Sequence, residues 1–99
     1  MARQVIWSFE ASTDLDDLAA FISKGSPYYA ASFIQEILEA SRTLGEYFER
    51  GRIVPELSAK TIREIFIRDY RLLYSIEETR IVILGLIHGR RDLKTLWVK

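Results

Sequence analysis

The sequence predicts an α+β fold in which two antiparallel helices pack on one face of a mostly antiparallel sheet of about four strands. Two helical stripes of apolar residues in the first half predict the helices, and three extended segments joined by short turns in the second half predict most of the sheet. The chain has 99 residues, which is the length of one domain with one core. We therefore expect residues 1–99 to form a single domain.

The first half of the chain predicts a short strand followed by an αα-hairpin. Residues 3–9 are rich in β-branched and aromatic side chains, which favours a strand. Ser12 and Thr13 stand before several aspartates, a pattern typical of a helix N-terminus, and the apolar spacing continues this helix to about Ser23. After a short link, Pro27 suits the first turn of a second helix. The apolar stripe of that helix consists of Ala30, Phe33, Ile34, Ile37, Leu38, Leu44 and Phe48.

After Gly51 the apolar period changes from helical to extended. Residues 52–57 are broken by Pro55 and suit a loop or an edge strand. The remaining pattern predicts three strands joined by two short turns. The strands are residues 61–68, 71–76 and 81–87, and the turns are Asp69-Tyr70 and Glu77-Glu78-Thr79.

Residues 81–87 are apolar at nearly every position, which is typical of a strand that is covered on both faces. The helical hairpin supplies one cover. The other cover is left open between the C-terminal tail, a second copy of the chain and a partner protein. Gly85 within this strand predicts a β-bulge or the close approach of another backbone.

Composition excludes several classes of function. The chain contains no cysteine and a single histidine, His88, so disulfides, thiolate metal sites and multi-histidine metal sites are ruled out. We therefore expect neither a metal nor a cofactor. No apolar run reaches the ~20 residues of a membrane span, and the first residues lack the apolar stretch of a signal peptide. We expect a cytoplasmic protein without membrane association.

The charges are distributed unevenly although the net charge is zero. Residues 1–49 carry three basic and eight acidic side chains, whereas residues 50–99 carry eleven basic and six acidic ones. Such asymmetry indicates either a basic working face in the second half or simply acidic exposed helices and basic strand ends.

Three segments of the second half carry a family resemblance. Residues 51–56 read Gly-Arg-Ile-Val-Pro-Glu, and residues 87–93 read Ile-His-Gly-Arg-Arg-Asp-Leu. Between them, Ile-Arg-Glu at 62–64 precedes Asp-Tyr-Arg-Leu-Leu-Tyr at 69–74. In this order and spacing, the sequence resembles the RelE/ParE superfamily of toxins from type II toxin–antitoxin systems, in particular a ParE-like plasmid stabilisation protein. The resemblance covers almost the whole chain.

The resemblance implies a toxin that inhibits growth until a cognate antitoxin encoded beside it neutralises it, as a homodimer or as a toxin–antitoxin hetero-oligomer. ParE-like members inhibit DNA gyrase by binding and have no agreed catalytic residues. RelE-like members are metal-independent endoribonucleases that cut messenger RNA on the ribosome. Such cleavage requires a base for the ribose 2′-OH, cations for the developing phosphorane charge and an acid for the leaving oxygen.

If the chain is such a nuclease, the resemblance implies four catalytic residues. Glu56 is the candidate general base, Arg71 and Arg91 are candidate cations, and His88 is a candidate acid–base group because its pKa is ordinarily near neutrality. Each residue also has a structural interpretation. Arg71 suits an ion pair with Asp69 or Glu56, and Glu56 suits the turn into the sheet. Arg91 suits a solvated strand end or an antitoxin contact, and a lone histidine suits a structural role.

The resemblance and the basic second half of the chain indicate a binding surface of five residues. They are Arg63, Arg71, Arg90, Arg91 and Trp97. We expect Arg71 to lie beside residues 86–91, because the start of one hairpin strand lies next to the end of the following one. We also expect Arg71 and Arg91 to be exposed on one basic face, where arginine forks suit phosphates or the carboxylates of a partner. For Trp97, docking into the core is the alternative.

Two departures from the pattern of the RelE-like nucleases favour binding over RNA cleavage. RelE-like nucleases that depend on lysine carry two lysines, two positions apart, on the strand before the Tyr-Arg strand, whereas this chain has Ile62 and Glu64 there. A glutamate repels phosphate, and zero net charge is unusual for a protein that binds the ribosome. The sequence therefore favours a ParE-like inhibitor of DNA gyrase. The alternatives are a RelE-like ribosome-dependent mRNA endoribonuclease and a non-toxic interaction module of the same fold.

Overall fold

The computed structural model of the protein describes residues 2–91, which form an α+β fold with one mixed sheet. The strands lie in the order β1-β5-β4-β3-β2, with β1 parallel to β5 and every other neighbouring pair antiparallel. The predicted fold class is confirmed, with five strands rather than about four. The elements are β1 (Gln4–Trp7), α1 (Phe9–Ser23), α2 (Pro27–Thr43), β2 (Arg52–Ile53), β3 (Ile62–Ile67), β4 (Tyr70–Ile76) and β5 (Arg80–His88).

Helix α1 begins earlier than its local sequence predicts. Ser8 is the N-cap, and its Oγ accepts a hydrogen bond from the backbone N–H of Ala11 at 3.0 Å. The prediction of a start at Ser12 and Thr13 was wrong. A hydrogen bond to the sheet also holds Ser8 in place, because its N–H donates to the carbonyl of Ile83 at 3.0 Å. The early start buries Ala11 completely.

Helix α2 begins as predicted and ends earlier. Its N-cap serine precedes Pro27, and the helix ends at Thr43 instead of continuing to Phe48. The chain leaves the helix because Gly45 approaches the start of β1, where the N–H of Arg3 donates to the carbonyl of Gly45 at 2.8 Å. A Cβ at this glycine would lie 2.5 Å from the carbonyl oxygen of Arg3. Phe48 still packs against the core, but from the loop after the helix.

The main core lies between the helices and one face of the sheet. Leu72 and Tyr74 of the central strand β4 are fully buried there, together with Ile81 and Ile83 of β5. A smaller cluster covers part of the opposite face, where Val54 and other residues of the segment after β2 pack on Leu73. The members of this second cluster are Val54, Leu73, Leu57, Ile62, Leu84 and Ile87.

Two local irregularities shape the β4–β5 hairpin. Leu73 pairs with Gly85 while the next residue, Tyr74, pairs with Ile83, so Leu84 is the extra residue of a β-bulge. The bulge predicted from Gly85 is confirmed. In the preceding hairpin, the predicted turn at Asp69-Tyr70 is shifted back by one residue, because Tyr70 already belongs to β4 and pairs with Ile67.

Tyr74 connects β4 to the loop that follows α2. Its hydroxyl donates to the carbonyl of Phe48 at 2.7 Å and accepts from the N–H of Gly51 at 3.0 Å. Because the ring is fully buried, burial raises the pKa of the Tyr74 hydroxyl and keeps it protonated. Tyr74 thereby satisfies two backbone groups of a loop that has no regular secondary structure of its own.

We expect Tyr74→Phe to lower the free energy of unfolding by about 1–3 kcal/mol, because it leaves a buried donor and a buried acceptor without a partner. Urea unfolding followed by circular dichroism measures the change. Tyr47→Phe is the matched control, since Tyr47 is 63% exposed, and should change stability by less than ~0.5 kcal/mol. Equal effects of the two substitutions would contradict the assigned role of Tyr74.

Candidate functional site

Arg71 is the centre of a buried network of charges on the sheet face opposite the helices. Its guanidinium contacts both carboxylate oxygens of Glu56, at 2.9 and 2.8 Å. Its Nε and Nη2 each lie 2.6 Å from one oxygen of Glu64. The other oxygen of Glu64 accepts from the Nε of Arg52 at 2.6 Å. We refer to Arg52, Glu56, Glu64 and Arg71 as the Arg71 network.

The register of the sheet brings this network together. Arg71 pairs with Phe66 and Glu64 pairs with Leu73, so the two charged side chains are diagonal neighbours on one face of β3 and β4. Glu56 reaches the same place from the segment that follows β2. Each member comes from a different part of the second half of the chain, and the network therefore fixes the position of the segment after β2 on the sheet.

All three nitrogens of the Arg71 guanidinium contact protein oxygens, and the side chain is buried. Its side chain is 4% exposed, that of Glu64 is 0% exposed, and that of Glu56 is 19% exposed. Besides the four contacts to carboxylates, Nη1 donates to the backbone carbonyl of Arg91 at 3.1 Å. Four of the five N–H groups of this side chain therefore donate hydrogen bonds, and the nitrogen that carries the fifth, Nη2, also lies 2.6 Å from Glu64. The hydrogen bonds that Arg71 donates to Glu56 are the main cause that raises the pKa of Arg71.

This burial corrects one expectation and confirms another. Arg71 was expected to be exposed with Arg91 on one basic face, and that was wrong, since Arg71 is 3% exposed. The alternative interpretation, an ion pair with Glu56, describes its contacts in part, and Glu64 supplies the rest. The expected proximity to the end of β5 is confirmed, because Arg71 pairs with Ile87 and contacts the carbonyl of Arg91.

The turn after β5 carries the candidate residues His88, Arg90 and Arg91. Nδ1 of His88 accepts from the N–H of Arg90 at 3.2 Å, and its carbonyl accepts from the N–H of Arg91 at 3.0 Å. The His88 ring stands edge-on to Tyr70, with 5.4 Å between ring centroids. Both arginine side chains are exposed. His88 and Arg90 also line a surface pocket of about 450 Å³ beside the β3–β4 turn.

The remaining candidates lie elsewhere. Arg63 donates to three backbone carbonyls, those of Lys60, Glu49 and Gly51, at 3.2, 3.3 and 3.0 Å. It therefore braces the loops on either side of β2 and does not join the turn after β5. Trp97 lies outside the described residues. Among residues 2–91, no group of three or more histidine, aspartate and glutamate side chains is placed to hold a metal ion.

One polar contact was not anticipated from the sequence. Asp14 was interpreted as an acidic residue near a helix N-terminus, but its Oδ2 accepts a hydrogen bond from the backbone N–H of Leu86 at 3.1 Å. Burial raises the pKa of Asp14 above its ordinary value, although the bond from Leu86 lowers it. The spacing from Ala11 to Asp14 to Leu18 puts Asp14 on the buried side of α1, which is the signal that could have revealed it.

Comparison with known proteins decides the family. Residues 5–93 match the family model described as the ParE toxin of the type II toxin–antitoxin system parDE. The chain belongs to the ParE toxin family. It is also 30% identical to the toxin RelE2 of Caulobacter vibrioides over 89 residues, which is 89% of this chain and 97% of the relative. The predicted membership of the RelE/ParE superfamily of toxins is confirmed.

Two solved structures share the fold of this toxin. One belongs to the chromosomal ParDE system of P. aeruginosa, with a TM-score of 0.73, 19% identity, and coverage of 88% of this chain and 96% of that chain. The other belongs to the toxin–antitoxin complex RelBE2 of Mycobacterium tuberculosis, with a TM-score of 0.63, 25% identity, and coverage of 89% and 99%. Because the fold is shared with both a ParDE and a RelBE2 structure, an inference about the target of this toxin has to start from its own residues. Among residues 2–91, neither helix of the toxin is long and apolar enough to cross a membrane.

We expect Arg71→Ala to lower the free energy of unfolding by about 3–5 kcal/mol, because it leaves the buried Glu64 without its main cation. Chemical denaturation measures the loss. Arg91→Ala is the matched control, because an exposed strand-end arginine contributes under ~1 kcal/mol. Arg71→Met combined with Glu64→Leu should recover at least half of the loss by removing both buried charges. A folded Arg71→Ala variant of near-normal stability would contradict the network.

The raised pKa of Asp14 predicts a pH-dependent effect of Asp14→Asn. The folded state holds the proton of this carboxyl more tightly than the unfolded chain, so the carboxyl stabilises the fold below its ordinary pKa of 3.8 and loses this contribution as the pH rises through the folded pKa. Asparagine can still accept from Leu86 but does not titrate. The stability of Asp14→Asn relative to the unsubstituted toxin should therefore rise between pH 3 and pH 7 by ~1 kcal/mol or less.

Thermal unfolding of both proteins across this pH range tests the expectation. Asp16→Asn changes an exposed aspartate on the same helix and serves as the control for the loss of one negative charge. If the relative stability of Asp14→Asn falls with rising pH, or follows that of Asp16→Asn throughout, then burial of Asp14 is not the cause.

Proposed function

We propose that this toxin arrests growth by binding and inhibiting DNA gyrase, without cutting RNA. The observation that carries the proposal is the burial of Arg71, whose side chain is 4% exposed and donates four hydrogen bonds to protein oxygens. Stabilising a phosphorane requires donors aimed at the charge that develops in the transition state. Arg71 is the candidate cation in the strand of the family's Tyr-Arg motif, but its donors are buried and directed at the protein's own oxygens.

The surroundings of Arg71 also disfavour a phosphate. Glu56 and Glu64 place two carboxylates around the guanidinium, and the four residues of the Arg71 network sum to zero charge. A phosphate brought to this place would meet two negative groups at short range in a poorly hydrated environment, where repulsion is strong. These features support a toxin that works by binding.

The exposed cations of the turn after β5 suit this mode of action. Arg90 and Arg91 project from a turn whose backbone is fixed by His88 and by Arg71. Rigid placement lowers the entropy that binding must overcome, and arginine forks are well suited to carboxylates at protein interfaces. We therefore assign the contact with gyrase to this turn, together with the surrounding basic surface.

The proposal includes an antitoxin. The P. aeruginosa and M. tuberculosis structures that share the fold belong to toxin–antitoxin systems. We propose that the present toxin is likewise neutralised by a small protein encoded beside it, and that both act in the cytoplasm, where gyrase is found. Exposed aromatic side chains, Phe9, Phe21 and Phe66 among them, give such a partner apolar surface to cover.

RNA cleavage is the second candidate, and two observations favour it. The relative that is 30% identical is named toxin RelE2. His88, Arg90 and Arg91 also lie on one turn, beside a pocket of about 450 Å³ that is lined by His88 and Arg90. A base and two cations on one turn can serve phosphate chemistry even without Arg71. The experiment must therefore measure both activities.

We expect the toxin, when induced alone, to arrest growth and to inhibit gyrase supercoiling of relaxed plasmid by the purified enzyme. Arg90→Ala with Arg91→Ala should weaken inhibition at least ~10-fold, which corresponds to about 1.4 kcal/mol of binding free energy. Arg42→Ala with Arg80→Ala removes two exposed arginines from other surfaces and should have little effect. Co-expression of the adjacent small gene should restore growth.

Mapping of messenger RNA ends in the arrested cells separates the candidates. New ends in phase with codons, together with normal supercoiling, would replace gyrase inhibition with ribosome-dependent cleavage. Full growth at high expression of the toxin alone would show that this member is a non-toxic interaction module of the same fold.

A further inference from the structure

The two-residue turn between β3 and β4 has a strained backbone at Arg68. The turn consists of Arg68 and Asp69, because residues 67 and 70 pair with each other across the hairpin. The φ angle of Arg68 is 55°, and among residues 2–91 the only other non-glycine residue with a positive φ is Ser58. A hairpin turn with a positive φ at its first residue ordinarily carries glycine there, because a Cβ is crowded in this conformation. Such strain persists only where surrounding contacts impose it.

Side chains of α2 supply these contacts. Nε and Nη2 of Arg68 donate to Oε1 of Glu36 at 3.1 and 2.9 Å, and Nη1 donates to the Tyr29 hydroxyl at 2.9 Å. The guanidinium carbon also lies 5.4 Å from the ring centroids of Tyr29 and Phe33. The spacing of four and three residues places these side chains on one face of α2. We refer to Tyr29, Phe33, Glu36 and Arg68 as the Arg68 cluster.

The strained turn adjoins the turn after β5, which carries Arg90 and Arg91. The carbonyl of Asp69 accepts a hydrogen bond from the N–H of Gly89 at 2.6 Å. The approach is close, since a Cβ at Gly89 would lie 3.0 Å from that carbonyl oxygen. The φ angle of Arg68 sets the direction in which the chain continues to Asp69. A change of that angle would therefore move the acceptor of the Gly89 hydrogen bond.

A series of rings connects the same face of α2 to the turn after β5 at a second point. Phe33 contacts Tyr70, with 5.9 Å between ring centroids, and Tyr70 contacts the ring of His88 edge-on at 5.4 Å. Nδ1 of His88 in turn accepts from the N–H of Arg90 at 3.2 Å. Helix α2 thus supports the turn after β5 at His88 through rings and at Gly89 through the Arg68 cluster.

We propose that Arg68 is a positioning residue, which holds the turn between β3 and β4 in its strained form and thereby fixes the turn after β5 through the hydrogen bond from Gly89 to Asp69. Its effect on gyrase rests on the proposed function, whereas the connection between the two turns rests on contacts within the chain. A turn that is fixed before binding loses less entropy on binding, which strengthens the contact made by Arg90 and Arg91.

Replacement of Arg68 by alanine and by glycine separates positioning from direct contact with a partner. Both variants lack the guanidinium, but glycine adopts a positive φ without strain, whereas alanine keeps the strain and lacks the contacts that impose it. We expect the amide of Gly89 to exchange with solvent at least tenfold faster in Arg68→Ala and less than threefold faster in Arg68→Gly. The reference is the amide of Ile76, which donates to the carbonyl of Thr61 at 2.7 Å at the other end of β4. Equal acceleration at Ile76 and Gly89 would indicate a general loss of stability and overturn the proposal.

Arg80→Ala is the matched control for the loss of an ion pair at a hairpin turn. The side chains of Arg80 and its partner Glu77 are 48% and 43% exposed, against 48% and 44% for Arg68 and Glu36. We expect Arg80→Ala to change the exchange of Gly89 less than twofold and Glu36→Ala to accelerate it at least threefold. Unchanged exchange of Gly89 in Arg68→Ala would overturn the proposal.

Inhibition of gyrase supercoiling by the same variants connects the position of the turn to the activity. We expect Arg68→Ala to weaken inhibition at least fivefold and Arg68→Gly to weaken it less than twofold. Equal losses in the two variants would overturn the proposal, because glycine restores the turn and not the guanidinium. If the unsubstituted toxin does not inhibit gyrase, the proposed function fails, while the exchange of Gly89 still decides whether Arg68 fixes the turn after β5.

Discussion

The constraint on which much of this structure depends is the burial of one cation, Arg71, in the central strand of the sheet. An unpaired buried charge costs several kcal/mol, so the chain must bring oxygen atoms to it from elsewhere. Glu64 comes from the neighbouring strand, Glu56 from the segment after β2, and a carbonyl from the turn after β5. One side chain therefore fixes three separate segments against the face of the sheet that the helices leave uncovered.

The same constraint explains the uneven distribution of charge. Several cations of the second half form ion pairs within the molecule. Arg52 and Arg71 bind carboxylates of the network, and Arg68 reaches across to Glu36 on α2. The basic half is thus partly neutralised by its own acids and by those of the helices. Arg90 and Arg91, in the turn after β5, add two exposed cations at one end of the sheet.

Local sequence patterns predicted the features of the fold that depend on interactions between residues close in sequence. Apolar periodicity predicted both helices and the three long strands, and Gly85 predicted the bulge, because these depend on residues close in sequence. The start of α1 at Ser8 and the parallel pairing of β1 with β5 depend on partners more than 50 residues away. The burial of Arg71 depends on partners that are 7, 15 and 20 residues away and lie in other segments of the fold. Local rules contain no term for such partners, so they predict an exposed position for an arginine in a strand.

Two of these departures have a common origin and a structural consequence. Because Ser8 is fixed to Ile83, β1 stops there and α1 begins at once, which leaves the end of β5 without a neighbouring strand. The early start of α1 also sets Asp14 opposite Leu86, where a carboxylate takes a backbone donor. An edge satisfied by a partly buried carboxylate is a less favourable arrangement than an edge paired with a strand, since the charge loses hydration. Local sequence rules fail at this place because the contact joins residues that are 72 positions apart in the chain.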